Sequence, residues 1–148
     1  MCGLFQETYD PLEVVKEITV DMVIQEMGTL LEEHGNEFPF ENREAIFARW
    51  IHNESAYVYD QAQVALREHE EGITAYQKVL FQTAVVNRVC WRALKRIVMN
   101  RTPELPSSAI VGAIRNFQAV AQDAIRDLDY SLNGPSECMD EEGDDDDE

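Results

Sequence analysis

The sequence predicts an all-α protein: a single-domain bundle of about four amphipathic helices over residues 1–135, followed by a disordered acidic segment over residues 136–148. Three observations carry this expectation. Apolar residues return at spacings of three and four in four long stretches. Glycine or proline closes each stretch, at Gly35, Gly72, Pro103 and Gly134-Pro135. No run alternates with the period of two that a half-buried strand requires. The connections are short, which favours antiparallel neighbours. A chain of 148 residues with 45% apolar content can close one core without disulfide or metal staples.

The first helix is expected from Pro11 to Glu33. Asp10 suits the N-cap, Pro11 the first helical position and Gly35 the C-terminal glycine. Leu12, Val15, Met22, Val23, Met27 and Leu30 form its apolar stripe, widened by Val14, Ile18, Ile24 and Leu31. Glu13, Glu17 and Asp21 lie four apart on a neighbouring face. Pro39 marks a loop from Asn36 to Phe40, with Phe38 and Phe40 folding back onto the core.

The second helix is expected from Glu41 to Glu71, stopped by Gly72, with Ile46, Phe47, Trp50, Ile51, Tyr57, Val58, Ala62 and Ala65 in its buried arc. Glu54 and Gln61 fall inside that arc. Either the helix breaks around Asn53-Glu54-Ser55, or these polar groups are buried with partners.

The third helix is expected from Ile73 to Asn100. Tyr76, Val79, Leu80, Cys90, Trp91, Leu94, Ile97 and Val98 project onto one broad face, which makes Trp91 a core residue. Lys78, Arg88, Arg92, Lys95 and Arg96 gather on the other, and no acid occurs between Ile73 and Pro103. The fourth helix is capped by Ser107 or Ser108 and carries the most regular stripe, from Ile110 through Ile114, Phe117, Ala121, Ala124, Ile125 and Leu128 to Leu132. Beyond it, residues 136–148 hold nine acids and no base, too polar to offset the entropy of ordering.

The formal charge of −17 is unevenly spread: residues 1–72 carry a net −12 and residues 73–135 a net +4. The basic face therefore has two uses. It pairs with the acidic first and second helices inside the bundle, which is the favoured reading, or it meets an external anion. The acidic run, with Asp144, Asp145, Asp146 and Asp147 at its heart, serves solubility, screens the basic helix, or docks a basic partner.

Chemistry has little to stand on. A carboxylate-bridged metal pair in a bundle needs Glu-x-x-His, but Leu31, Arg49 and Leu66 stand three before His34, His52 and His69. Neither His-Glu-x-x-His, G-x-S-x-G, a P-loop nor G-x-G-x-x-G occurs. The opening Cys2-Gly3-Leu4-Phe5 resembles the start of class II glutamine amidotransferases, in which a processed N-terminal cysteine is the nucleophile. That resemblance implies a large α/β sandwich, and its four residues are followed by a helical sequence. No enzyme, cofactor or metal site is expected.

Three scattered cysteines, Cys2, Cys90 and Cys138, read as reduced thiols. With no apolar run long enough for a span and no basic, apolar leader at the start, the expected setting is intracellular, cytoplasmic or nuclear. The leading functional expectation is a non-enzymatic regulator, adaptor or accessory protein, in the style of viral accessory components, that binds another protein. The broad apolar arcs also leave room for a homo-oligomer. The alternatives are a nucleic-acid-associated protein using the basic face with the acidic segment as competitor, or an acidic nucleic-acid mimic that occupies a basic partner.

Overall fold

The computed structural model describes residues 7–28, 43–64, 72–99 and 108–134. The described residues are helical apart from one small two-stranded sheet, so the chain is all-α. In order they form β1 (Thr8–Tyr9), α1 (Pro11–Lys16), α2 (Val20–Met27), α3 (Arg43–Gln61), β2 (Ile73–Thr74), α4 (Ala75–Met99) and α5 (Ser108–Asn133).

The expected first helix is two. Asp10 caps α1 as foreseen, its carboxylate accepting from the Leu12 amide at 3.0 Å. The chain then turns at Glu17, and Thr19 starts α2 afresh by accepting from the Met22 amide at 3.3 Å. A threonine hydroxyl that satisfies an orphan amide stabilises the break, across which the buried face passes from Val14 and Ile18 to Val23 and Met27. Gly28, at φ 57° and ψ −134°, ends α2 before the expected Glu33. Residues 29–42, including Leu30, Leu31, Gly35, Phe38 and Phe40, lie outside the described residues. Leu12, expected in the buried stripe, is exposed.

The second expected helix appears as α3, unbroken through Asn53-Glu54-Ser55 and ending at Gln61 rather than Glu71. Gln61 is exposed, while Glu54 is buried with partners. Residues 65–71 lie outside the described residues. Gly72, at φ 66°, leads into β2, and a Cβ on it would stand 2.9 Å from the Tyr9 carbonyl oxygen.

Ile73 and Thr74, expected as the first turn of the third helix, are paired antiparallel with Tyr9 and Thr8. Helix α4 begins only at Ala75 because Thr74-Ala75-Tyr76-Gln77 is a capping box: the Gln77 amide donates to Thr74 Oγ1 at 3.2 Å and the Thr74 amide to Gln77 Oε1 at 2.9 Å. The same Gln77 donates through Nε2 to Ser131 Oγ at 2.9 Å. This bond sets the start of α4 beside the end of α5, so the two long helices run antiparallel.

Helix α4 is the hub. It packs along α5, against α3 and α2, and against α1 and the sheet. From Ala84 to Cys90 every residue except Arg88 is buried. Phe81, Leu94 and Ile97 from α4 join Phe47 and Trp50 from α3, Val23 from α2, and Ile110 and Leu128 from α5 in one continuous core. Each fully buried large side chain contributes about 1.5–3 kcal/mol of transfer free energy, so this shared core is the main favourable term. Tyr76 and Val79 depart from expectation, each 58% exposed, as does Trp91, which is only half-buried.

Candidate functional site

The five basic residues of α4 do not form one free face. Lys78 Nζ lies 2.8 Å from a Glu17 oxygen and 4.3 Å from the centre of the Tyr9 ring. The hydrogen bond to the Glu17 carboxylate holds its ammonium above the usual lysine value. Arg88 Nε donates to Glu54 Oε1 at 2.5 Å, and Arg92 Nη1 donates to Glu54 Oε2 at 3.0 Å. Glu54 is 6% exposed, so one acid on α3 receives two cations from successive turns of α4. This pairing of α4 with acids of α1's end and α3 is what the charge segregation favoured.

Aromatic rings complete the cluster. The Arg88 guanidinium lies 3.8 Å from the centre of the Tyr57 ring and 5.1 Å from that of Trp91. Arg92 lies 4.7 Å from Trp50, and Lys95 Nζ lies 4.4 Å from Trp91. Each such cation–π contact is worth about 0.5–1 kcal/mol at an exposed position and ~2 kcal/mol where water is excluded. Trp91 is therefore a ring bracketed by cations one turn before and one turn after it. Arg96 is exposed and engaged in an interaction of its own. Asp144, Asp145, Asp146 and Asp147 lie outside the described residues.

A second surface was not foreseen. Helices α2 and α5 leave a groove of about 640 Å³ over α4, lined by Met22, Val79, Val86 and Val120 together with the polar Gln25, Glu26, Gln82, Thr83 and Asn87. Asn87 is buried and donates to the Thr83 carbonyl at 2.8 Å. Tyr76, one turn before Val79, extends the apolar strip into solvent. The helical wheel assigned both residues to the core; the signal available in the sequence was only that this face of α4 is apolar.

A shallower cleft of about 610 Å³ separates α1 from α3, lined by Leu12, Val15, Ala56 and Tyr59 with His52 at its edge. Beneath it, the buried Ser55 hydroxyl has no hydrogen-bond partner. Among the described residues no three of His, Cys, Asp and Glu gather as metal ligands. No helix among them is long and apolar enough to cross a membrane.

No family model, curated protein or solved structure matches this chain.

Proposed function

We propose that this chain is a non-enzymatic helical adaptor or regulator that works by binding another protein, and that the partner seats an amphipathic helix in the α2–α4–α5 groove. The observation that carries the reading is the exposure of Tyr76 and Val79, 58% each, on the helix that otherwise forms the centre of the core. Helix-in-groove docking reads apolar residues at spacings of three and four, and Tyr76 and Val79 stand three apart beside the groove. The same strip is available to a second copy of the chain.

The nucleic-acid alternative has less to support it. Lys78, Arg88 and Arg92 already meet carboxylates, and the Trp91 ring carries cations where a base would stack. The net charge of −17 repels phosphates at long range. An intracellular setting, cytoplasmic or nuclear, belongs to the same reading and rests on thiols such as Cys90, buried and unpaired with another cysteine.

The test is a photo-crosslinking residue placed at position 79 of the full chain. A protein adduct that Tyr76→Asp abolishes and Arg92→Gln spares supports the reading, and an adduct with the chain itself identifies the partner as a second copy. In parallel, anisotropy of labelled DNA and RNA across a salt series should show no binding. Strong salt-sensitive nucleic-acid binding lost in Arg92→Gln, with no adduct at position 79, would overturn it in favour of the alternative.

A further inference from the structure

Arg88, Arg92 and Lys95 meet on one side of α4, and the carboxylate that faces them among the described residues is Glu54. Glu54 lies beneath the surface, whereas Lys95 is exposed and the Arg92 side chain is 36% exposed. Among the described residues, the patch thus keeps a surplus of positive charge turned to solvent, on a protein of net charge −17. An anion arriving from outside can meet Arg92 and Lys95 without displacing Glu54. With cations already over Trp91, the ring adds no stacking platform, so carboxylates strung along a backbone suit this patch better than bases do.

We propose that the acidic segment 137–148 of this same chain occupies the patch, with Asp144, Asp145, Asp146 and Asp147 against Arg92 and Lys95. Charge and length both favour it. The segment has nine acids and no base, and α4 has no acid at all. The bond from Gln77 to Ser131 fixes the end of α5 at the start of α4. Lys95 lies eighteen residues further along α4, about 27 Å at a helical rise of 1.5 Å. Ten residues separate Gly134 from Asp144, and an extended chain of that length reaches about 33–36 Å. The acids therefore reach the patch with slack to pass around the bundle. Being intramolecular, the contact has a high effective concentration that an external acidic partner must outcompete. It is also an exposed charge contact, screened by molar salt.

The sequence offers a sharp test, because it contains three lysines. Zero-length carbodiimide coupling of the full chain, read by peptide mass spectrometry, assigns each one a partner. Lys16 beside Glu13 at 3.3 Å and Lys78 beside Glu17 at 2.8 Å are internal controls. The expected result is a link from Lys95 to Asp144–Asp147 in the monomer. Its yield should not depend on protein concentration, should exceed several-fold any link from Lys16 to those acids, and should be lost in 1 M salt (a Debye length of about 3 Å). Control links without the Lys95 link would overturn the proposal, as would equal linking to Lys16 and Lys95 or links found only in dimers. As a second readout, changing Asp144, Asp145, Asp146 and Asp147 together to Asn should shift the Trp91 indole resonance, because Lys95 lies over that ring. An unmoved Trp91 resonance counts against the proposal in the same way.

Discussion

Glu54 and Arg88 meet across 2.5 Å between α3 and α4, and the Glu54 carboxylate has only 8% of its surface left to water. Arg92 takes the second oxygen at 3.0 Å. Desolvating an acid is costly, so the pairing is required rather than generous: with both arginines present the charge is satisfied, and with either partner gone a charge is stranded. Glu54→Ala leaves two guanidinium groups crowded under Tyr57, Trp91 and Trp50. The expected loss is about 2–3 kcal/mol in urea unfolding, in the range of hydrogen bonds to charged groups, because Arg88 and Arg92 keep partial access to water. Replacing Glu54, Arg88 and Arg92 together by Leu, Met and Met should restore much of that loss. A triple variant no more stable than Glu54→Ala would mean that the cluster contributes net stability.

Ser55, the next residue, illustrates the opposite case. Its hydroxyl is buried in a residue only 2% exposed, and nothing accepts from it or donates to it. Removing an unsatisfied polar atom recovers desolvation free energy at little packing cost. Ser55→Ala should therefore raise the urea midpoint by the equivalent of about 0.5–1 kcal/mol. A destabilised Ser55→Ala would show that the hydroxyl has found a partner in solution.

The fold class was legible because the apolar period of 3.6 persists through every long element, and α5 runs from Ser108 to Asn133, close to the start and stop that the sequence predicts. What a wheel could not reveal was a break at which the buried face changes side. Val23 stands nine residues after Val14, half a turn away on one continuous helix, yet both are in the core because Thr19 re-caps the chain between them. Apolar residues on both sides make the two short helices look like one with a wide apolar arc. The two-residue strands are invisible because they are too short to alternate. Gln77 and Thr74 did advertise themselves as a capping box, and reading it would have moved the start of α4 from Ile73 to Ala75. The basic residues of the candidate site were legible by type, but their division between Glu17, Glu54 and solvent depends on where α1 and α3 sit. No wheel drawn on one helix contains that information.

Two backbone positions make a matched test of conformational strain. Gln63 adopts φ 55° in the turn after α3, a region that costs a side-chain-bearing residue about 1–2 kcal/mol. Glycine there removes the strain but adds disorder to the unfolded chain, so Gln63→Gly should gain about 0.5–1 kcal/mol net. Gly72 is the reverse: φ 66°, with the Tyr9 carbonyl 2.9 Å from the place of a Cβ. Gly72→Ala should lose at least about 2 kcal/mol through strain and the displaced β1–β2 pairing, measured by the same unfolding curves.

Cys90 gives a pH signature. It is fully buried beside the Val23 carbonyl, its sulfur 3.7 Å from that oxygen, and burial pushes its thiol far above the ordinary cysteine range, with a smaller push from the Glu26 charge. The folded thiol thus keeps its proton where the unfolded one loses it. For a group whose folded pKa is raised, the contribution is fully present below the unfolded value of about 8.5 and is lost as pH rises above it. Between pH 8.5 and 10 the unfolded state is the one that gains charge, so stability should fall there by about 2 kcal/mol on account of Cys90 alone. Cys90→Ala removes this slope. Subtracting the two unfolding-versus-pH curves should therefore give a line that is flat to pH 8 and falls beyond it. A difference that stays flat to pH 10, or iodoacetamide labelling of Cys90 in the native protein at pH 8, would mean the sulfur has access to water that this packing denies it.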